Sequence, residues 1–300
     1  MGGTINKKSL LIGLSCYLLW GILPFYWLAL ENFDALFILA NRIIWSLGFA
    51  LLLLVATKQL PAFVRALKNR RVMTLLLPAA VLITVNWGVY IWAVNHGHIL
   101  DSSLGYYMNP LVTVVFGLIF FKERCSKGQW LALGLALIGV LYSTVQYGSF
   151  PYISVTLALT FAAYGVMKKK VSIDPIISIA IETLLVTPVA IGYILFAGMG
   201  SGGLADVGAV SLLLLVGAGV VTATPLMLFA RGVNDLPLYV MGFLQYVSPT
   251  MSLLIGLFMG ETLTPDKLVC FGFIVAGLAV FSFSTFRSER KSAAAPAARS

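Results

Sequence analysis

The sequence predicts an all-α polytopic membrane protein, with ten transmembrane helices as two inverted five-helix repeats. Composition, ten long apolar runs and an internal repeat support this fold class. Hydrophobic residues fill 60% of the 300 positions, charged residues fill only 10%, and the mean hydropathy is +0.96. A soluble domain usually carries about 25% charged residues, so this chain could not cover a surface that faces water. The composition therefore excludes a soluble enzyme, a disordered chain and a nucleic-acid-binding domain.

Ten apolar runs are long enough to cross a bilayer, which requires about 20 residues per helix. They cover residues 9–29, 35–56, 72–95, 102–121, 129–147, 150–167, 175–197, 209–229, 237–259 and 267–286. The first run follows Lys7 and Lys8, as in a signal peptide, but it lacks a small-residue cleavage site and nine more runs follow. We therefore predict that it is a helix of the mature protein, and that the short connections leave no room for a separate soluble domain.

The basic residues predict the orientation. With the N-terminus in the cytoplasm, 18 of the 20 Lys and Arg residues fall on the cytoplasmic side, and only Lys267 falls outside, with Arg42 inside a span. This asymmetry is the positive-inside signal, so the net charge of +9 reports topology rather than nucleic-acid binding. We predict a multi-pass protein of the inner (plasma) membrane, with both termini in the cytoplasm and the lipid bilayer as its surroundings.

The two halves of the chain resemble each other. An offset of 139 aligns Tyr107 with Tyr246 and Pro110 with Pro249, and an offset of 138 aligns Glu123 with Glu261. Each half then holds five spans, an odd number, so the second half enters the membrane from the opposite side. We predict a first repeat over residues 1–148, an inverted second repeat over 149–287, and a disordered cytoplasmic tail over 288–300. Inverted repeats are typical of secondary transporters, whose substrate sites lie near the midplane.

Arg42 and Glu182 are the ionisable residues that the sequence places deep within spans, at positions related by an offset of 140. A charge inside a membrane is costly unless it faces a cavity or a partner. One interpretation gives Arg42 an anionic ligand or a gating role, and gives Glu182 a proton or a cationic ligand. The alternatives are a structural pair between the two residues, or side chains that reach toward the ends of their spans.

Two matched polar stripes follow helical spacing in the fourth and ninth spans. Tyr106, Asn109 and Thr113 form the first stripe, and Gln245, Ser248 and Ser252 form the second at the offset of 139. Residues at this spacing share one helix face, and polar side chains avoid lipid. We predict that the stripes line a central cavity, while hydrogen bonds between helices would explain the same pattern.

The third span contributes further candidates for the cavity wall. Asn86 and Tyr90 are separated by one helical turn, and Trp87 lies between them. Aromatic walls suit flat or amphipathic solutes, although a belt of aromatic residues at the membrane interface is the alternative. Together with the residues above, the predicted substrate-binding or gating set is Arg42, Asn86, Trp87, Tyr90, Tyr106, Asn109, Glu182, Gln245, Tyr246 and Ser248.

No catalytic, cofactor or metal motif is found in the sequence. It lacks a phosphate-binding loop, a zinc-binding H-E-x-x-H and a serine nucleophile elbow. His96 and His98 form a weak pair of metal ligands, and Cys16, Cys125 and Cys270 show no metal or disulfide spacing. We predict a protein that is not an enzyme and holds no cofactor or metal. Gly134, Gly139, Gly272 and Gly277 predict close packing of the fifth and tenth spans, or a homodimer face.

The chain resembles the EamA family of the drug/metabolite transporter superfamily, and within it the RarD-type branch of chloramphenicol-sensitivity permeases. The resemblance covers nearly the whole chain. Its carrying stretches include NRIIWS at 41–46, NWGVYIWAVN at 86–95, LGYYMNPLV at 104–112 and GFLQYVSPT at 242–250. It implies a ten-helix bundle whose inner helices line a central cavity, and export or exchange of small solutes such as drugs, amino acids or metabolites.

From the sequence we expect a secondary transporter that works by alternating access on a small-molecule substrate. Proton coupling is expected if Glu182 changes its protonation during the cycle, and passive facilitation if Glu182 is permanently paired. An intramembrane lipid-modifying enzyme would need clustered nucleophiles or acid–base pairs, and a non-transporting scaffold would need no matched stripes. These two are the alternatives.

Overall fold

The computed structural model describes residues 6–30, 32–96, 98–148, 150–196, 208–258 and 265–294. The described residues form twelve α-helices and no strand. In chain order they are α1 (Lys7–Leu28), α2 (Ala35–Ala56), α3 (Leu60–Lys68), α4 (Arg70–Asn95), α5 (Ile99–Phe121), α6 (Lys127–Tyr147), α7 (Tyr152–Val171), α8 (Pro175–Phe196), α9 (Ala209–Asp235), α10 (Leu238–Gln245), α11 (Val247–Phe258) and α12 (Pro265–Ala294). The all-helical membrane fold predicted from the sequence is confirmed.

Eight of the described helices are long and apolar enough to cross a membrane: α1, α2, α4, α5, α6, α8, α9 and α12. The predicted sixth span corresponds to α7, whose last turn carries Lys168, Lys169 and Lys170. The predicted ninth span corresponds to α10 and α11, which follow each other with a break at Tyr246. The helices thus coincide with all ten predicted spans.

Two regions differ from the sequence prediction. The basic connection after the second span contains the short helix α3, which begins with Pro61 in its first turn and buries Phe63. The final helix α12 continues to Ala294, so residues 288–294 are helical where a disordered tail was predicted. Alanine and lysine in this stretch favour helix continuation. Residues 295–300 and Glu261 lie outside the described part of the chain.

Contacts between helix ends define two faces of the bundle. At the N-face, where α1 begins, the Ser9 hydroxyl donates to Asp235 at the end of α9 over 3.3 Å. At the opposite face, Tyr26 near the end of α1 donates to the carbonyl of Leu214 near the start of α9. Tyr193, near the end of α8, donates there to Asp34 before α2. The alternation of helix ends agrees with the predicted order of spans.

Small residues bring two pairs of helices close together. A Cβ atom at Gly219 of α9 would lie 2.3 Å from the backbone of Trp45 in α2, and the Ser46 hydroxyl donates to the Gly219 carbonyl. Gly139 of α6 and Gly277 of α12 each abut a backbone carbonyl of the other helix. The predicted packing of the fifth against the tenth span is therefore present at these two glycines, whereas Gly134 and Gly272 have no neighbour within 4 Å of such a Cβ atom.

Candidate functional site

Arg42 lies in an aromatic site that joins the two halves of the chain. Its guanidinium carbon is 4.5 Å from the Trp27 ring centre and 5.1 Å from the Trp87 ring centre. Its Nε donates a 2.9 Å hydrogen bond to the Thr222 hydroxyl of α9. We call Trp27, Arg42, Trp87 and Thr222 the arginine site. Cation–π contacts of this kind stabilise a guanidinium that has left water.

Tyr90 and Tyr106 extend the arginine site. Their rings meet edge to face with centres 5.8 Å apart, and both side chains interact electrostatically with Arg42. They remain 36% and 46% exposed although they lie on two of the long apolar helices. The sequence predicted that Tyr90 and Tyr106 line a cavity, and that role stays a prediction.

Arg42 and Glu182 do not pair with each other. Both are the eighth residue of a 22-residue helix, in α2 and in α8. At 1.5 Å per residue, each lies about 10 Å from its helix start. However, α2 begins at the opposite face and α8 ends there, so the two side chains lie in different halves of the membrane thickness. The structural pair considered from the sequence is absent.

Glu182 pairs instead with Lys168 of α7. The Lys168 Nζ lies 2.5 Å from the Glu182 Oε1, and the two side chains are 1% and 5% exposed. Ser178 donates to the same oxygen over 3.0 Å, and Tyr164 donates to the Glu182 Oε2 over 2.9 Å. We call Tyr164, Lys168, Ser178 and Glu182 the acid–lysine cluster. Three donors on one carboxylate satisfy the charge that the low-dielectric interior would otherwise penalise.

The sequence interpretation missed the role of Lys168. It assigned Lys168 to a cytoplasmic basic cluster with Lys169 and Lys170, because three adjacent lysines normally mark a solvated connection. In the structure α7 continues to Val171, and helical geometry turns the three side chains in different directions. Tyr164 and Lys168 are separated by one turn and share a face, a spacing that could have revealed the cluster.

A carboxylate at the N-face fixes the start of α10. The Glu123 side chain accepts hydrogen bonds from the backbone N–H groups of Leu238 over 2.7 Å and Tyr239 over 2.9 Å. Lys169 pairs with Glu123 at 3.1 Å and donates to the Leu236 carbonyl. A negative charge at a helix start satisfies unpaired N–H groups and the helix dipole. Glu123 therefore connects the first half of the chain to the second.

The remaining predicted residues mostly lie in helix contacts. Asn86 donates to the Leu157 carbonyl over 2.8 Å and to the Thr160 hydroxyl over 2.9 Å, which fastens α4 to α7. The two predicted stripes meet where the Thr113 hydroxyl and Gln245 Oε1 are 3.5 Å apart. Asn109 is 6% exposed, and its side-chain oxygen has no hydrogen-bond partner among the residues that the structure describes.

The last two residues of the predicted set differ in exposure. Tyr246 is 1% exposed and belongs to the hydrophobic core, and its hydroxyl has no hydrogen-bond partner within the described ranges. Ser248 on α11 is partly exposed. The side chain of Ser252 lies outside the described part. The second stripe thus contributes more to packing between helices than to the arginine site.

The described histidines and cysteines form no metal site. His96 and His98 both stack on Trp92, with ring centres 4.8 and 5.6 Å away. Across the described ranges, no three His, Cys, Asp or Glu side chains gather as metal ligands would. Cys16, Cys125 and Cys270 form no disulfide bond within the described part of the chain.

The described helices form the multi-pass, apolar bundle of a membrane protein, and the family of the chain identifies its class as that of the transporters. The chain belongs to the EamA-like transporter family, whose sequence model matches residues 7–145 and again residues 152–283. One match falls in each predicted repeat, while the inverted relation of the repeats stays a prediction.

Two relatives that match nearly the whole chain are named as a transporter and as a RarD protein. The Bacillus subtilis protein called uncharacterized transporter YojE is 44% identical over 291 residues, which are 96% of this chain and 97% of the relative. The Salmonella typhi protein RarD is 40% identical over 95% of this chain and 98% of its own length. The predicted resemblance to RarD-type proteins is thus confirmed.

A more distant relative and a solved structure complete the comparison. A Pseudomonas aeruginosa protein named chloramphenicol-sensitive protein RarD is 29% identical over 294 residues, 96% of this chain and 98% of its own. One crystal structure superposes with a TM-score of 0.73 at 18% identity, covering 93% of this chain and 98% of its own. At 18% sequence identity, this structural similarity is evidence for a shared fold and for nothing further.

Proposed function

We propose that this chain is an inner-membrane permease that moves small organic solutes, such as drugs, amino acids or metabolites, by alternating access. The arginine site carries the proposal, because it places a guanidinium and exposed aromatic rings between the two halves of the chain. Aromatic walls with a few polar groups are the usual lining of small-molecule sites. The names of the relatives support transport, and the basic residues support cytoplasmic termini.

The contacts at the two faces support an alternating mechanism. At the N-face, Glu123 and Lys169 join the halves, and so do Ser9 and Asp235. At the opposite face, Tyr26 bonds to Leu214 across the same boundary. All of these are polar contacts of a few atoms, and rigid-body opening of one face would have to break the set at that face. Opening one face and then the other would expose the arginine site in turn.

The acid–lysine cluster is the candidate for proton coupling. A carboxylate whose partners are a lysine and two hydroxyls can accept a proton if the lysine moves away during the cycle. A permanent Lys168–Glu182 pair would instead make the protein a passive facilitator. The two mechanisms predict different behaviour when the carboxylate is made neutral, so Glu182 is the residue to test.

The test is solute flux into proteoliposomes that contain the purified protein, with and without an imposed proton gradient. The panel comprises chloramphenicol and amino acids, and wild type is compared with Glu182→Gln and with Asp174→Asn as a matched control in an exposed connection. Saturable flux that requires the gradient and fails only in Glu182→Gln supports coupled transport. Saturable flux that depends neither on the proton gradient nor on the Glu182 carboxylate supports facilitation. Absence of saturable flux for every solute would contradict the transporter proposal for this panel.

A further inference from the structure

We infer that the transported solute is an organic anion with a flat apolar portion, and that its carboxylate or equivalent acidic group binds the Arg42 guanidinium. This inference rests on the proposed transport function and names the solute class of the same site. Its basis is the charge balance of the spans, the free donors of Arg42 and the exposed aromatic surface beside it.

Among the described residues, the buried and half-buried charges are paired except at Arg42. Lys168 is neutralised by Glu182, and Lys169 by Glu123. Among the residues that the structure describes, no carboxylate lies within 4.0 Å of Arg42. Its guanidinium instead contacts the Trp27 and Trp87 rings and the Thr222 hydroxyl. An uncompensated cation within a span costs several kcal/mol unless a partner arrives, and a bound anion would supply that partner.

The donors of Arg42 match a bidentate acid. A guanidinium has five N–H groups in a planar fork, and Thr222 accepts only the one on Nε. The two terminal nitrogens make no hydrogen bond to the rest of the described chain, so their paired N–H groups remain for a ligand. Carboxylates accept two parallel bonds from this fork, which gives stronger binding than a neutral acceptor achieves.

The surroundings of Arg42 favour a solute with a ring. Trp27 and Trp87 contact the guanidinium through their rings. Tyr90 and Tyr106 keep 36% and 46% of their surface exposed within the electrostatic reach of Arg42. A flat apolar group attached to the acid would cover this exposed aromatic surface and gain edge or stacking contacts.

The experiment uses three probes that share a ring and differ in head charge: phenylacetate, phenylacetamide and phenethylamine. Binding to the purified full chain in nanodiscs is measured from the shift in melting temperature as each probe is titrated. Phenylacetate should bind at least about ten-fold more tightly than the amide or the amine, because one charge-assisted hydrogen-bonded pair contributes about that factor to affinity. Equal or tighter binding of the amide or the amine, or no binding of any probe, would overturn the inference.

Variants separate a ligand site from a structural arginine. Arg42→Gln should abolish the preference for phenylacetate, and Arg42→Lys should keep only part of it because an ammonium lacks the planar fork. Arg65→Gln removes an exposed charge on α3 and should leave the preference unchanged. Without probe, Arg42→Gln should melt at or above the wild-type temperature, because an unpaired cation is removed. A preference that survives Arg42→Gln overturns the inference.

Flux of the same probes into proteoliposomes distinguishes this inference from the proposed function. Saturable flux of the amide or the amine without preference for the acid would leave the transporter standing and overturn the anion inference. Tight, Arg42-dependent binding of phenylacetate without any flux would support the anion site and count against transport. Saturable flux of phenylacetate that Arg42→Gln lowers by about ten-fold or more supports both.

Discussion

Lys168→Met should destabilise the protein more than any surface change, because it leaves Glu182 buried without its cation. Removing one partner of a buried ion pair costs about 3–5 kcal/mol. In Lys168→Met the Glu182 carboxylate keeps hydrogen bonds from Ser178 and Tyr164, so we expect a loss of about 3 kcal/mol, at the lower end. In Glu182→Leu, Lys168 keeps its hydrogen bond to Ser178 and its contact with the Tyr164 ring but has no carboxylate, so we expect a loss of about 5 kcal/mol.

The double variant Lys168→Met with Glu182→Leu gives the decisive comparison. It removes both charges, so it should lose less stability than either single variant, as replacement of buried ion pairs by apolar residues often does. The assay is the melting temperature of purified protein, where about 2 °C corresponds to 1 kcal/mol for a chain of this size. We therefore expect losses of about 6 °C for Lys168→Met and about 10 °C for Glu182→Leu.

A matched control and a clear contrary result complete the design. Lys170→Met alters an exposed neighbour in the same helix turn, and its effect should stay within about 0.5 kcal/mol. If Lys168→Met melts within about 2 °C of wild type, or if the double variant loses the sum of both single losses, the ion pair does not stabilise the bundle and our reasoning is wrong.

Three further predictions concern the N-face and the cysteines. Glu123→Gln keeps one acceptor oxygen but loses the charge at the start of α10, so the free energy of unfolding should fall by about 1–3 kcal/mol; an unchanged melting temperature would refute this. Ser126 and Ser284 have hydroxyls 2.9 Å apart, so cysteines at both positions in a cysteine-free background should form a disulfide between α6 and α12, seen as a mobility shift that reductant reverses. Burial, with the nearby Glu123 charge, raises the pKa of the Cys125 thiol to about 11. Its labelling by a thiol reagent should therefore still accelerate about ten-fold between about pH 9 and 10, where an ordinary thiol is already largely ionised; a rate that levels off near pH 9 would contradict the shift.

The positions of Arg42 and Glu182 show which features of the site could be predicted from the sequence and which could not. Their rarity within apolar runs singled them out, and the offset of 140 placed them at equivalent helix positions, which the structure reproduces as the eighth residue of α2 and of α8. The predicted inversion of the repeats already implies different depths for the two residues, but the sequence did not show which side chain takes the charge of Glu182, so the pair stayed open. Helices that begin at opposite faces carry equivalent residues at different depths, and this separates the pair.

The predicted cavity-lining set divided for a similar reason. Tyr90 and Tyr106 lie beside Arg42, while Asn86 fastens α4 to α7 and Tyr246 is buried in the core. Helical spacing shows which residues share a face, but not which neighbour that face meets. A polar residue that faces a cavity and a polar residue that faces another helix give the same sequence pattern. The substrate-binding role of the set therefore rests on the binding and flux experiments.

The sequence by itself determined the membrane class, the positions of the long helices and the family. The first two follow from hydrophobicity, charge and local spacing, which act within about 20 residues and are visible along the chain, whereas the family follows from the resemblance of particular stretches to its members. Only the tertiary structure decided that Lys168 neutralises Glu182, that Glu123 holds the start of α10, and that Arg42 has no acid partner in the described chain. The two contacts join helices whose relative position and rotation about their axes cannot be read from the sequence, and the lack of an acid beside Arg42 depends on the same arrangement. Their free energy depends on burial and geometry in three dimensions, which no local pattern specifies.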